Sequence, residues 1–299
     1  MYIIKDLLKQ FNEQYFKHHK NDISLIPFKG YCEDTLENNI RSLQGTEYSE
    51  LIRILTEVQR LKDNPRYFGV MEFVKQKQSI RFNYSNKISR ALKFGVQQEI
   101  IDILLSVSKN SSLVGGSIRD IILSKTPKDF DYVTDASYDR ISKAFQEKGF
   151  EIKETGKQFL ILNVVKNKIS TEIACYRKED TYIDGRRPQE VQIGTLQEDA
   201  HRRDFTCNAL YYDLNDEVLL DPTGQGIDDC RNRILRFIGK PQDRLKEDYL
   251  RALRFYRFLS KGFIADKKSL KAVRECWVDI YKEIDPQRAL NEIEKIVKV

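Results

Sequence analysis

Long apolar runs are missing from this 299-residue chain. No stretch approaches the roughly 20 apolar residues that a membrane-spanning helix needs, so a helical membrane protein is not expected. Histidine is scarce, with three in all and two of them adjacent at His18-His19, which disfavours a histidine-built metal centre. The five cysteines (Cys32, Cys175, Cys207, Cys230, Cys276) are scattered, odd in number and never in C-x-x-C spacing. That pattern points to reduced thiols and away from zinc. Residues 1–20 mix acids with bases and lack both a signal h-region and the acid-poor bias of a transit peptide, so the expected location is the cytoplasm. Internal repeats and low-complexity tracts are absent as well.

What remains is a chain with 40% apolar and 32% charged residues, the balance of a soluble globular protein long enough for two or three modest domains. Net charge is +6, and residues 1–112 hold 17 Lys and Arg against 13 Asp and Glu. This excess is compatible with a polyanionic partner without requiring one. Residues 1–110 read as mostly helical: Leu51, Ile52, Leu55, Val58 and Leu61 fall near helical spacing, as do Ile100, Ile101, Leu104 and Leu105. Breaks are expected at Asn21-Asp22, from Pro27 to Gly30, and at Asp63-Asn64-Pro65. The run from Lys75 to Tyr84 mixes cations with Phe82 and Tyr84 and could meet RNA; a solvated helix face with two core aromatics explains it as well.

From Leu113 the pattern changes to short strands. Phe159 to Val165 and Ile169 to Tyr176 flank Asn167-Lys168, a hairpin turn. Cys207 to Leu214 and Glu217 to Leu220 form a second pair, and a helix over 138–148 ends at Gly149. After Asp243 the sequence reads as helical to the end. The fold expected is α+β, a mixed sheet with flanking helices, with helical segments on both sides; the divisions are 1–110, 111–238 and 239–299.

Chemistry concentrates first in Leu113-Val114-Gly115-Gly116-Ser117-Ile118-Arg119-Asp120, followed by Asp129-Phe130-Asp131. On a strand Asp129 and Asp131 project to one side and Phe130 to the other. Paired carboxylates suit hard Mg²⁺ ions, which take one or two protein carboxylates plus phosphate oxygens and water. Gly115-Gly116 lets the backbone approach a ligand, and a helix from Ser117 aims free N–H groups at its phosphates. Either half alone is an ordinary turn or a solvated strand edge. Spaced as strand, Gly-Gly, helix, loop, strand, they indicate phosphoryl or nucleotidyl transfer.

These residues resemble the opening motif of class II tRNA nucleotidyltransferases (CCA-adding enzymes) and bacterial poly(A) polymerases, which share a polymerase-β-like nucleotidyltransferase head. Arg202-Arg203-Asp204-Phe205-Thr206-Cys207-Asn208-Ala209-Leu210 resembles the family's RRDFT-x-NAL motif nearly letter for letter. Thr171-Glu172-Ile173 resembles the strand that carries the family's third carboxylate. Residues 177–188 resemble its mobile loop, and Asp221 to Asp229 the connection that precedes the family's nucleotide-selecting helix. Glu247-Asp248-Tyr249-Leu250-Arg251 resembles the nucleotide-selecting motif, which chooses CTP and ATP over GTP and UTP. Read as one helix, Arg244, Asp248, Arg251 and Phe255 share a stripe, while Leu245, Tyr249, Ala252 and Tyr256 face the core.

The resemblance, over about 113–292, implies two Mg²⁺ ions on Asp129 and Asp131, with Glu172 in support. It further implies phosphates against Gly115, Gly116 and Arg119, and an incoming nucleotide lined by Arg203, Asp204 and Asn208. The base would meet Asp248 and Arg251, while Arg254 contacts triphosphate or braces its helix. The activity implied is addition or repair of the tRNA CCA end from CTP and ATP, with RNA and NTP as partners and no membrane. Poly(A) or single-nucleotide tailing is the alternative. A catalytically silent RNA-binding protein, and adenylation of a protein or small molecule, are further readings. Asp285-Pro286-Gln287-Arg288 departs from the family's serine-glutamate-arginine neck segment. The chain also ends where relatives continue into helical body and tail domains, so residues 1–110 are expected to hold RNA in their place, or to cap or dimerise the head or bind a protein partner.

Overall fold

The computed structural model describes residues 66–93, 95–179, 191–276, 279 and 283–297. The expected stripe at 51–61, the breaks before residue 66, and residues 180–188 of the loop lie outside the described residues. The chain divides into two compact units, Met1–Arg81 and Phe82–Val299. The division falls inside α1 (Arg66–Leu92).

In the second unit, α1 turns Ser85, Ile88 and Leu92 inward, at spacings of three and four residues. Gly95, at φ +58°, takes a left-handed conformation that allows a sharp re-entry into α2 (Val96–Val107). There Ile100, Ile101, Ile103, Leu104 and Val107 are buried on one broad face, a little under half of the helix, which seats α2 on the core.

The remaining chain builds a seven-stranded sheet. Its strands are β1 (Ser111–Val114), β2 (Asp131–Thr134), β3 (Glu151–Gly156), β4 (Ile161–Lys166), β5 (Ile169–Cys175), β8 (Tyr211–Asp213) and β9 (Val218–Leu220). Spatial order is β3-β4-β5-β2-β1-β8-β9. Only β2 and β5 pair in parallel within it; every other neighbour is antiparallel. Between them come α3 (Gly116–Ile122) and α4 (Tyr138–Glu147). A side pair, β6 (Arg177–Glu179) and β7 (Val191–Ile193), leads into α5 (Leu196–Arg202). The mixed sheet with flanking helices is the α+β head expected.

Central β1 is buried along its whole length, covered on both faces as a parallel-type core strand would be. The β4–β5 hairpin turns at Asn167 and Lys168, whose φ values of 53° and 65° are those of a type I′ turn. The helix expected over 138–148 ends at Glu147, and Gly149 follows at φ +77°.

Three expected spans need correction. Residues 157–159 form a 3₁₀ turn, so β4 starts at Ile161 and not Phe159. Thr206–Asn208 is likewise 3₁₀, and β8 starts at Tyr211, because Asn208 and Ala209 return their N–H groups to Phe205 and Thr206. The region after Asp243 is not continuously helical. Its described helices are α7 (Pro241–Glu247), α8 (Leu250–Ser260), α9 (Lys267–Glu275) and α10 (Pro286–Val297). A parallel pair of short strands, β10 (Ile234–Leu235) and β11 (Ile264–Ala265), and α6 (Gly226–Arg231) complete the described elements.

An aromatic cluster fastens α8 to the head. Phe237 and Phe255 stack at 5.6 Å and 10°, and Phe205 meets Phe237, Phe255 and Phe258 at 4.9–6.1 Å. Each fully buried phenylalanine contributes about 1.5–3 kcal/mol of apolar burial. The stripe through Phe255 and Arg251 therefore faces the protein, not solvent, and Tyr249 and Tyr256 are only partly covered. Leu245 and Ala252 of the expected core stripe are buried as well, so the buried face widens to take in Phe255 and Arg251, because aromatic volume outweighs the polar neighbours in deciding what goes in.

Candidate active site

The site forms where β1 ends and β2 begins, beside the middle of β5. Val114 pairs with Asp131, the first residue of β2, and Tyr132 lies beside Ile173 in the parallel β2–β5 register. One step back, that register sets Asp131 next to Glu172 on the same face of the sheet. Asp129 precedes β2, so strand alternation does not fix its side as the sequence pattern suggested. All three carboxylates are exposed. Even so, partial removal from water, then Glu172 and Asp129, push the Asp131 carboxyl up to about 6, with Arg203 opposing them. This corner stores electrostatic repulsion.

Across from the carboxylates, Gly115 sits at φ +79°, its N–H donating to the Leu210 carbonyl at 3.1 Å. A side chain there would stand 3.5 Å from Arg203 Nη1 and 3.6 Å from the Asn208 carbonyl oxygen. At Gly116 the nearest atom to such a side chain would be Arg119 Nη2, at 3.5 Å. Two guanidinium groups thus back the glycine pair, a cationic cradle at the start of α3.

Each arginine is aimed by fixed partners. Arg119 donates Nη1–H to Asn208 Oδ1 at 2.7 Å and Nη2–H to Asp120 Oδ1 at 2.8 Å, and lies 5.1 Å over the Phe258 ring. Arg203 donates to Asp199 Oδ2 through Nε at 3.2 Å and Nη2 at 3.0 Å, and to the Tyr211 hydroxyl at 2.9 Å. Arg202 takes the other Asp199 oxygen at 2.8 Å, and the Tyr211 hydroxyl donates to Oδ2 at 2.6 Å. Asp199 is fully buried. Burial alone would raise its pKa, but Arg203, Arg202 and the tyrosine hydroxyl outweigh it and hold the carboxyl far below the usual range. Sequence reading passed over Asp199 as a site residue. The signal was present: Thr195 and Glu198 form a capping box that starts α5 and puts Asp199, Arg202 and Arg203 at i, i+3 and i+4.

Asp204 and Asn208 meet behind Arg119 instead of standing free for a sugar. Asp204 Oδ1 accepts from the Phe205 N–H at 2.8 Å and Asn208 Nδ2 at 3.0 Å; Oδ2 accepts from Arg254 Nε at 2.8 Å. Arg254 accordingly braces α8 against the head. Burial pushes the Asp204 carboxyl up, but Arg254, Asn208 and the Phe205 N–H prevail and bring it down to about 2. A depressed carboxyl contributes stability above its unfolded value and loses it as pH falls through the folded value. The Asp204–Arg254 clamp should therefore supply about 2 kcal/mol at neutral pH that disappears between pH ~4 and ~2. Denaturant midpoints measured over that range should fall less steeply in Asp204→Asn than in the parent.

Asp248 and Arg251 do not share a helix. Asp248 is extended at φ −155°, its Oδ1 accepting the Leu250 N–H at 3.0 Å, so it breaks α7 from α8 and caps the latter. Its Oδ2 accepts from Arg288 at 3.0 Å. Arg251 is buried, donating to Glu247 at 2.5 Å, the Arg244 carbonyl at 2.8 Å and the Arg202 carbonyl at 2.9 Å. The two residues lie one turn apart, each already paired.

Under the RRD turn, a side chain on Gly226 would come within 2.6 Å of the Thr206 carbonyl, and the Ile227 N–H donates to Asp221 Oδ2 at 3.0 Å. The Asp221–Gly226 connection is thus a close-packed support for the motif.

Among the described residues, no group of three or more His, Cys, Asp and Glu side chains is already gathered to hold an ion. The open carboxylate corner nonetheless offers oxygen donors alone. That set fits Mg²⁺, which keeps waters and takes its remaining ligands from substrate phosphates. The four described cysteines, Cys175, Cys207, Cys230 and Cys276, are free. No described helix is long and apolar enough to cross a membrane.

A mixed sheet that presents carboxylates opposite a glycine pair backed by arginines defines a nucleotidyltransferase head. Residues 111–236 match the poly(A) polymerase head domain. The chain is 34% identical over 201 residues to the CCA-adding enzyme of Bacillus subtilis (strain 168), covering 67% of this chain and 49% of that protein. It is 31% identical over 236 residues to poly(A) polymerase I of Haemophilus influenzae, covering 72% and 51%. The crystal structure of the Bacillus stearothermophilus CCA-adding enzyme in complex with CTP matches with a TM-score of 0.58 at 27% identity, over 67% of this chain and 48% of that one. A tRNA nucleotidyltransferase complexed with a primer tRNA and an incoming ATP analogue matches at 0.56 and 25%, over 67% and 58%. The chain spans about half the length of the curated relatives it matches.

Proposed function

We propose that this chain is a template-independent RNA 3′-terminal nucleotidyltransferase that adds or repairs the CCA end of tRNA from CTP and ATP in the cytoplasm. The observation that carries the reading is the juxtaposition of Asp131 and Glu172 with the Arg119–Arg203 cradle behind Gly115-Gly116. Residues 111–238 are read as the head, 239–299 as the neck, and 1–110 as a module for RNA or for a partner.

Asp129 and Asp131, with Glu172 beside them, would hold divalent metal ions, which when bound neutralise triphosphate charge and ease loss of the hydroxyl proton. Arg203 keeps Nη1 toward Gly115 while Asp199 and Tyr211 occupy its other donors, so one N–H edge remains for a phosphate oxygen. The first N–H groups of α3 face the same ligand. An RNA 3′-hydroxyl attacks the α-phosphorus of the bound NTP, and pyrophosphate leaves. For Asp248 and Arg251 to read a base, each must exchange a present partner, Arg288 or Glu247, for the base edge.

Poly(A) tailing remains the second reading, favoured by the 236-residue match to poly(A) polymerase I. Extension of a tRNA lacking its 3′-CCA, with CTP and ATP singly and together, separates them. Growth by C, C and A that then stops is the expected product. Open-ended A addition without CTP would transfer the assignment to tailing, and no extension of any RNA would remove both.

A further inference from the structure

Between Glu72 and Glu99 the chain has no Asp or Glu, yet it carries Lys75, Lys77, Arg81, Lys87, Arg90 and Lys93. The part of α1 within the second unit sorts these residues by face. Ser85, Ile88 and Leu92 are buried, and the Ser85 hydroxyl accepts the Leu219 N–H of β9 at 2.9 Å, seating the helix on the sheet edge. Phe82, Asn83, Asn86, Lys87 and Arg90 are exposed, at helical spacing on the opposite face. Phe82 is 68% exposed, an aromatic ring left in water beside cations.

The neighbouring carboxylate does not neutralise this face. Glu217 pairs with Lys93 at 3.4 Å and accepts from the Ser89 hydroxyl at 3.2 Å. Lys87 lies 5.4 Å over the Tyr84 ring, which leaves its charge intact. Among the described residues, Arg90 has no ion-pair partner.

The sheet register fixes where this face stands relative to the site. Asp131 pairs with Val114, Val114 with Tyr211, and Tyr211 with Leu220, one row across four strands. Ser85 bonds the residue adjacent to that row's far end. Three strand spacings of ~4.8 Å put the edge roughly 14 Å from the carboxylate corner, with α1 the next layer out. An RNA strand whose 3′ end lies at Asp131 can reach α1 within a few nucleotides.

We propose that the outward face of α1, through Lys87, Arg90 and Phe82, binds the substrate RNA upstream of its 3′ end, the cations on phosphates and the ring on a base. This rests on the RNA-transferase reading and names a surface for it. A charged face without its own counter-ions and with an exposed ring is suited to a polyanion with stackable bases, which a protein surface supplies less readily.

The test uses the full chain and a 5′-fluorescein tRNA lacking its 3′-CCA, with binding read by anisotropy across salt concentrations. Lys87→Glu with Arg90→Glu should weaken binding about tenfold or more and flatten the log–log salt slope by about 1.4, two single-strand phosphate contacts. Phe82→Ala should weaken binding about fivefold or more with the slope unchanged. Lys87→Arg with Arg90→Lys should retain parental affinity, and ATP affinity and melting temperature should stay at parental values in every variant. Parental affinity and slope in the charge-reversed protein would overturn the proposal and leave the face to a protein partner. A wild-type chain that binds RNA through this face but extends no 3′ end would uphold the surface and remove the catalytic reading.

Discussion

Asp131→Asn should abolish nucleotide transfer and raise the melting temperature of the same protein. The Asp131 carboxyl is pushed up to about 6 by its removal from water and by Glu172 and Asp129. A carboxylate with a raised folded pKa destabilises the fold in full above that folded value, and the penalty shrinks as pH falls from there to the unfolded value. Asparagine fixes the neutral form at every pH. Because the residue is exposed, solvent screening keeps the gain small, about 1–3 °C. The catalytic loss is much larger. If Asp131 holds metal as proposed, several kcal/mol of transition-state stabilisation go with its carboxylate, a fall on the order of 10³ in kcat. Thermal melts and single-turnover extension on one preparation would check both parts. A variant that melts lower, or that keeps a tenth of parental activity, would remove Asp131 from the centre of the site. In the parent, raising Mg²⁺ should close the stability gap to the variant, since bound cation relieves the repulsion that asparagine removes.

The parts of this site that were legible in the sequence are those fixed by local chemistry. Gly115 needed only its positive φ and the following helix; Asn167-Lys168 needed only a turn conformation that few residue types accept. Asp131 beside Glu172 required one long-range fact, the parallel β2–β5 register, and the family resemblance supplied it. Asp248 was misread for a different reason. An aspartate that caps a helix and one that lies inside it fit the same i, i+3 stripe, and only the extended backbone tells them apart. Phe255 was misread because polar spacing was allowed to outvote aromatic volume. The pairing of Asp248 with Arg288, across forty positions, had no local signature at all. The segment that departed from the family's spelling thus supplies the partner of the aspartate proposed to read the base.

Asp199→Ala should have the opposite sign of effect on stability and nearly as large an effect on function. Its carboxylate serves Arg202, Arg203 and the Tyr211 hydroxyl from a fully buried position. Removing it takes the shared, fully buried carboxylate from the partly buried Arg203 and Arg202 guanidinium groups, a loss of about 3–5 kcal/mol. That is a large fraction of the 5–15 kcal/mol typical of a folded domain, and corresponds to a melting point lower by about 10 °C. Asp199→Asn keeps the shape and one acceptor and should fall between the variant and the parent. Arg203 is aimed at Gly115 by this carboxylate, so transfer should weaken even where the protein stays folded, and more in the apparent affinity for NTP phosphates than for RNA. Urea denaturation with NTP titration at a temperature where both variants are folded would measure the two effects separately. An unchanged denaturation midpoint in Asp199→Ala would mean that water replaces the carboxylate at no cost, and the arginine cradle would then owe its aim to Tyr211 alone. The two aspartates thus make a paired test of how the site is built: one held above its normal pKa where charge is to be met by a cation from outside, the other held below it where the protein's own cations meet the charge.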